Sequence, residues 1–136
     1  VIVADTSGLL AWFNAREPQH SAVREVVERG EALIVSPFVV AELDYLVATR
    51  LGTAAEVALL EELAGGAYVL PAFAASDLER AASVVRRYAD QDIGIADASL
   101  VVLAERFDTT RILTLDRRHF DVIRSMSGEQ FDVLPG

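Results

Sequence analysis

Short, continuously apolar runs alternate along this chain with longer segments of helical periodicity. Five runs, "VIVAD", "ALIVS", "AYVLP", "RILTLD" and "FDVLP", have the length of strands. They do not alternate between apolar and polar positions, as expected of strands covered on both faces. Between them the spacing predicts helices over 7–15, 19–29, 37–51, 53–64, 76–89, 94–107 and 117–124. The third is the best marked. Ser36 stands where a side chain caps the helix, and Pro37 where a first helical residue gives up no hydrogen bond. Gly52 can end it and Thr53 can cap the next, which makes a helical hairpin over 37–64. The pattern predicts an α/β fold with a parallel sheet between helical layers, in one domain spanning 1–136.

The helix at 94–107 raises a chemical question. "IADASLVVLAERF" reads as buried on all sides except at Asp97. An ionised carboxylate placed there costs several kcal/mol unless a partner charge or a metal compensates it. Three other acids occupy telling positions. Asp5 follows the first strand and Asp116 the fourth, at the strand ends where open parallel sheets bind their ligands. Glu42 shares a helical stripe with Phe38, Val39, Tyr45 and Leu46, although Asp44 fits the periodicity equally well through Val40 and Val47. Each acid also has a purely structural explanation. Asp5 can sit in a turn, Glu42 can pair with a surface arginine, Asp97 can be held by helix-start amides, and Asp116 can cap a short helix.

Composition narrows the chemistry. The net charge is -9, the wrong sign for a protein that holds nucleic acid by broad phosphate neutralisation. All twelve basic residues are arginines, which argues against P-loop, Schiff-base and lysine-assisted phosphoaspartate chemistry. There is no cysteine and there are two histidines, so converging acids would call for oxygen-ligated Mg²⁺, with Mn²⁺ as a substitute, rather than zinc. No apolar run is long enough to span a bilayer and no leader is visible, so a cytoplasmic protein is expected.

Several neighbours stand near these acids in sequence. Ser7 is placed either to orient Asp5 or to cap the following helix, and Thr114 either to assist Asp116 or to serve as an ordinary strand residue. Asp92, in "DQDIG", is either a supporting acid of the site or an ordinary loop acid. Arg117 and Arg118 can grip phosphate or simply balance charge, and His119 reads as a surface or packing residue.

"VADTSGLLAWF", "SPFVVAELDYLV", "IADASLVVLAERF" and "ILTLDRRHF", in this order, resemble the PIN-domain ribonucleases, and within them the VapC-type toxins of toxin-antitoxin pairs. The resemblance runs from the first residue to about 120. It implies a five-stranded parallel sheet in an α/β/α sandwich and a Mg²⁺-dependent endoribonuclease acting on structured cellular RNA, tRNA or rRNA. By motif it carries the family acids onto Asp5, Glu42, Asp97 and Asp116, as catalytic and metal-holding residues, with Ser7 as serine companion to Asp5. It also implies a cognate VapB-type antitoxin and a homodimer, formed through the hairpin at 37–64. Two other classes remain open: a phosphoaspartate protein, disfavoured by the absent lysine, and a PIN-like module whose acids only dock a basic partner.

Overall fold

A computed structural model describes residues 1–136. Strand β1 (Ile2–Ala4) leads through α1 (Thr6–Phe13) and α2 (His20–Val27) to β2 (Leu33–Val35). Four helices follow: α3 (Pro37–Leu51), α4 (Thr53–Ala64), α5 (Ala75–Arg87) and α6 (Ile95–Arg106). The chain then forms β3 (Arg111–Leu113), α7 (Arg117–Val122) and β4 (Asp132–Leu134). All pairings are parallel, in the order β2-β1-β3-β4. The register sets Val3 beside Ile34 on one side and Ile112 on the other. No helix is long and apolar enough to cross a membrane.

The sheet has four strands, where five were expected. The fifth run, "AYVLP", contributes only a single parallel bridge, Val69 to Ile34, outside β2. Two ladder bonds hold it there, Val69 N–H to the Leu33 carbonyl and Val35 N–H to the Val69 carbonyl, both 2.9 Å. Gly65 and Gly66 precede this stretch and Pro71 follows it, and Val69 and Leu70 are exposed, so it ends after one bridge at the sheet's edge.

Helix ends obey the local chemistry. The Ser36 hydroxyl accepts the Phe38 N–H at 3.1 Å, with Pro37 in the first turn of α3. Gly52, at a φ of 91°, serves both as C-cap of α3 and as N-cap of α4. Thr53 therefore does not cap α4 but is its first residue, because the hairpin turns over one residue fewer than expected. Helix α6 is buried along most of its length, and its Ala98 and Leu100 to Ala104 belong to the apolar cluster that includes Ile2, Val3, Ile34, Ile112 and Leu113 of the sheet.

The connection from β1 runs to β2 on one side, and that from β3 runs to β4 on the other. The crevice between the carboxyl ends of β1 and β3 is thus a topological switch point, where open α/β sheets bind ligands. The first turn of α1 presses against the end of β3. A Cβ on Gly8 would stand 2.6 Å from the Leu113 carbonyl oxygen, so only glycine permits this approach.

Candidate active site at the strand ends

Asp5 is the first residue beyond β1 and is 6% exposed. Its backbone remains in the ladder, donating to the Leu113 carbonyl at 2.9 Å, while its side chain caps α1 by accepting the Thr6 N–H at 2.8 Å on Oδ1. The Thr114 hydroxyl donates to Oδ2 at 2.7 Å, and the Ser7 hydroxyl lies 3.3 Å from the same oxygen. Ser7 Oγ also accepts the Leu115 N–H at 2.9 Å, and Thr114 Oγ1 accepts the Asp116 N–H at 3.0 Å. Two hydroxyls thereby lock the β1 and β3 ends together around one carboxylate. Ser7 orients Asp5, and the cap of α1 is Asp5 itself. Thr114 is both a buried strand-end residue and a link between Asp5 and Asp116.

Three further acids belong to the same cluster, in which the charges of Asp5, Glu42 and Asp116 all reach Asp97. Glu42, on α3, accepts the Thr6 hydroxyl at 2.5 Å. Its negative charge acts on both Asp5 and Asp97. The ambiguity with Asp44 is resolved by the Thr6 contact, which Glu42 makes and Asp44 does not; Asp44 lies instead beside Glu56 of α4, whose carboxyl it pushes up. Asp97 sits in the first turn of α6, but no backbone amide holds it, so the helix-start explanation does not apply. Asp116 caps α7, its Oδ1 3.5 Å from the His119 N–H, and its charge also reaches Asp97.

The electrostatics follow from burial and crowding. Loss of hydration pushes the Asp97 carboxyl up to about 6, helped by the charges of Asp5, Asp116 and Glu42 and opposed by His119. Burial also raises Asp5, against the hydrogen bonds from Thr114, Thr6 and Ser7 that favour its ionised form; Glu42 adds a further upward push. Such a set resists full ionisation alone and accommodates a hard cation through oxygen donors alone. The residues therefore fit a divalent ion in donor chemistry. No three of the acidic and histidine side chains are placed to hold a metal ion together. An open arrangement of one or two direct carboxylates suits Mg²⁺, which retains several waters.

Two residues in the cluster carried little signal in the sequence. Thr6 lay inside "VADTSGLLAWF" with no role in the site assigned to it, yet its hydroxyl goes to Glu42. His119, expected at the surface or in packing, places Nδ1 3.2 Å from Asp116 Oδ2 and 3.5 Å from Asp97 Oδ2. Its spacing of three from Asp116 within a helix was the available clue. Asp92 does not join the group. It is exposed in a left-handed conformation after a 3-10 turn at Ala89–Gln91, and no hydrogen bond or ion pair engages its side chain. Arg117 and Arg118 are exposed on the first turn of α7, beside the cluster but with no bond to its acids; Arg117 instead approaches the Pro135 carbonyl at 3.4 Å.

Comparison with known proteins gives the arrangement a lineage. The PIN domain family matches residues 2–125. The chain is 57% identical over 135 residues to Ribonuclease VapC26 of Mycobacterium tuberculosis, covering 98% of this chain and all of that one. Among solved structures, M. tuberculosis VapC20, described as a sarcin-ricin loop cleaving toxin, aligns with a TM-score of 0.78 at 20% identity, over 85% of this chain and 90% of its own. VapBC2 from Rickettsia felis, bound to a promoter DNA fragment, aligns with a TM-score of 0.70 at 16% identity, over 97% of both chains. At such identities the solved structures speak to the fold, whereas the family match and the sequence relative speak to descent. A parallel sheet with acids gathered at its switch point, a family match over nearly the whole chain and a relative of equal length lead to one conclusion: this chain belongs to the PIN-domain family, among its VapC-type members.

Proposed function

We propose that the chain is a VapC-type toxin, an endoribonuclease that hydrolyses phosphodiester bonds in structured RNA with a divalent metal ion, Mg²⁺ or Mn²⁺. The observation that carries this reading is the convergence of Asp5, Glu42, Asp97 and Asp116 on the β1/β3 switch point. Asp5 and Asp97, the two whose carboxyls burial raises, would hold the ion directly; Glu42 and Asp116 would do so through water or a second ion. Bound there, it supplies a lowered pKa for an attacking water and positive charge against the anionic transition state. The chain's own residues supply the rest. Thr114 and Ser7 fix the Asp5 oxygens, Thr6 fixes Glu42, and Glu42 or Asp116 orients and deprotonates the water that attacks phosphorus. Arg117 and Arg118, exposed beside Asp116, meet RNA phosphates, so local cations offset a net charge of -9. Recognition of an unstacked loop is the expected mode for such a substrate.

The partner is a VapB-type antitoxin, a reading supported by a structural neighbour solved as the VapBC2 complex. An apolar groove of about 260 Å³ between α1, α3 and α4, lined by Leu10, Phe13, Val47, Leu51, Ala55 and Leu59, suits an apolar segment of that partner. Homodimerisation through the α3–α4 hairpin is supported by the exposed Tyr45, Leu51, Val57 and Leu60. The whole chain acts as one domain in the cytoplasm. Phosphoaspartate chemistry is disfavoured because both Asp5 oxygens already accept hydrogen bonds and no lysine exists to assist.

The decisive experiment is RNA cleavage by wild type and Asp5→Asn with Mg²⁺, Mn²⁺ or EDTA. Activity is expected only for wild type with metal. Cleavage that survives both EDTA and the substitution would overturn the mechanism, and intact RNA at high protein concentration with Mg²⁺ would favour a non-catalytic binding module.

A further inference from the structure

We infer that His119 is a positioning residue that spans Asp97 and Asp116 through its Nδ1–H and thereby sets the separation and orientation of these two carboxylates. The inference rests on the active-site reading above and goes beyond the four acids to a residue that contributes no ligand oxygen.

Three observations carry it. Nδ1 is a fully buried atom although the side chain as a whole is 30% exposed, so the ring turns its Nδ1 edge inward. The Asp116 and Asp97 carboxylate oxygens stand 3.2 and 3.5 Å away, yet neither is aligned well enough to count as a hydrogen bond. A buried ring nitrogen without a completed bond is costly, and the oxygens of these two carboxylates are the acceptors within its reach. Third, Asp97 accepts no hydrogen bond from any other residue, and His119 is its sole ion-pairing neighbour. Asp97, whose carboxyl burial raises, therefore has one imidazole as its only polar side-chain neighbour within ion-pair distance.

The local architecture explains how one residue reaches both acids. Helix α7 is six residues long, and His119 lies three residues after its cap, Asp116. Its backbone N–H faces Oδ1 of Asp116 and its ring faces Oδ2, so both Asp116 oxygens meet the same residue. The neighbouring Phe120 is fully buried and pins the helix, which keeps the ring pointed at α6. Either the neutral Nδ1–H tautomer or the imidazolium donates at this atom, so the role does not depend on the ring's charge.

The test compares His119→Asn, whose side-chain amide can place an N–H near the Nδ1 position, with His119→Phe, which keeps ring shape without a donor. Mn²⁺ affinity of the RNA-free protein, read from the free-ion electron paramagnetic resonance signal, is expected to fall about 10- to 100-fold in His119→Phe and to recover to within about threefold of wild type in His119→Asn. Unchanged melting temperatures in EDTA confirm that the variants fold. Equal affinities for wild type and His119→Phe overturn the inference, as does equal impairment of both variants. Asp97→Asn distinguishes failure of the underlying reading: if wild type binds Mn²⁺ no better than Asp97→Asn, the metal site itself is wrong. A second readout needs no metal. Nitrogen NMR of the imidazole in EDTA should find the proton on Nδ1, and a ring carrying its only proton on Nε2 overturns the inference by itself.

Discussion

Asp97 shows what burial and crowding cost a single side chain. Its carboxyl lies near 6, above the ordinary 3.8, because burial and three neighbouring acids disfavour the charged form. The folded state therefore binds this proton more tightly than the unfolded state does. Metal-free stability should fall as pH rises from about 4 to about 6 and then level off, by an amount on the order of 1–3 kcal/mol for this group. Asp5, raised in the same direction, adds to the trend. Asp97→Asn removes the penalty, so in EDTA at pH 8 the variant should melt higher than wild type, and the gap should close near pH 4. A lower melting temperature at pH 8 would mean that Asp97 serves the fold rather than the site. Thr114→Val tests the opposite kind of contact. It deletes the 2.7 Å bond to Asp5 Oδ2 inside a buried site and should lower stability by about 1–2 kcal/mol at neutral pH while reducing Mn²⁺ affinity. Melting and metal titration of the one variant check both.

At the scale of elements, the site depends on how closely helices approach strand ends. Gly8→Ala places a methyl 2.6 Å from the Leu113 carbonyl and must push α1 off β3, carrying Asp5, Thr6 and Ser7 with it. A loss of about 1–3 kcal/mol in urea unfolding is expected, together with a fall in RNA cleavage larger than the stability loss explains. Helix α6 is held in place differently. Asp77 caps the entry to α5 through the Ala74 N–H at 2.8 Å and pairs with Arg106 of α6 at 3.3 Å, while Arg106 also donates to the Ala72 carbonyl at 2.8 Å. Asp77→Ala strands the amide and loosens Arg106, and should cost about 1–3 kcal/mol by denaturant unfolding. Metal affinity should change little if α6 keeps its buried seat. These helices were legible beforehand because caps and periodicity are local: 37–51 and 53–64 are found at the predicted bounds, and the rest shift by a residue or two. The strand at 67–71 was not, since whether an apolar run joins a sheet depends on a neighbour's free edge and on where Gly66 and Pro71 interrupt it.

For the whole molecule, assembly and catalysis are the properties to measure. Size-exclusion chromatography with light scattering should show a dimer, and Tyr45→Glu on the exposed face of α3 should shift it toward the 14.7 kDa monomer without unfolding it. A monomer at every concentration would remove the hairpin interface from the proposal. The chain by itself determined its α/β class, the Ser36 cap and the candidacy of Asp5, Asp97 and Asp116, because each leaves a mark within a few residues: an apolar run, a capping serine, or a carboxylate at a strand end or where an apolar side chain belongs. Only the tertiary structure decided that Glu42 rather than Asp44 faces Asp5, that Asp92 stays outside, that Thr6 and His119 stand inside, and that the sheet closes with four strands. Those outcomes hang on distances between residues as far apart as Asp5 and Thr114, which packing and register set and which no local stretch of chain encodes.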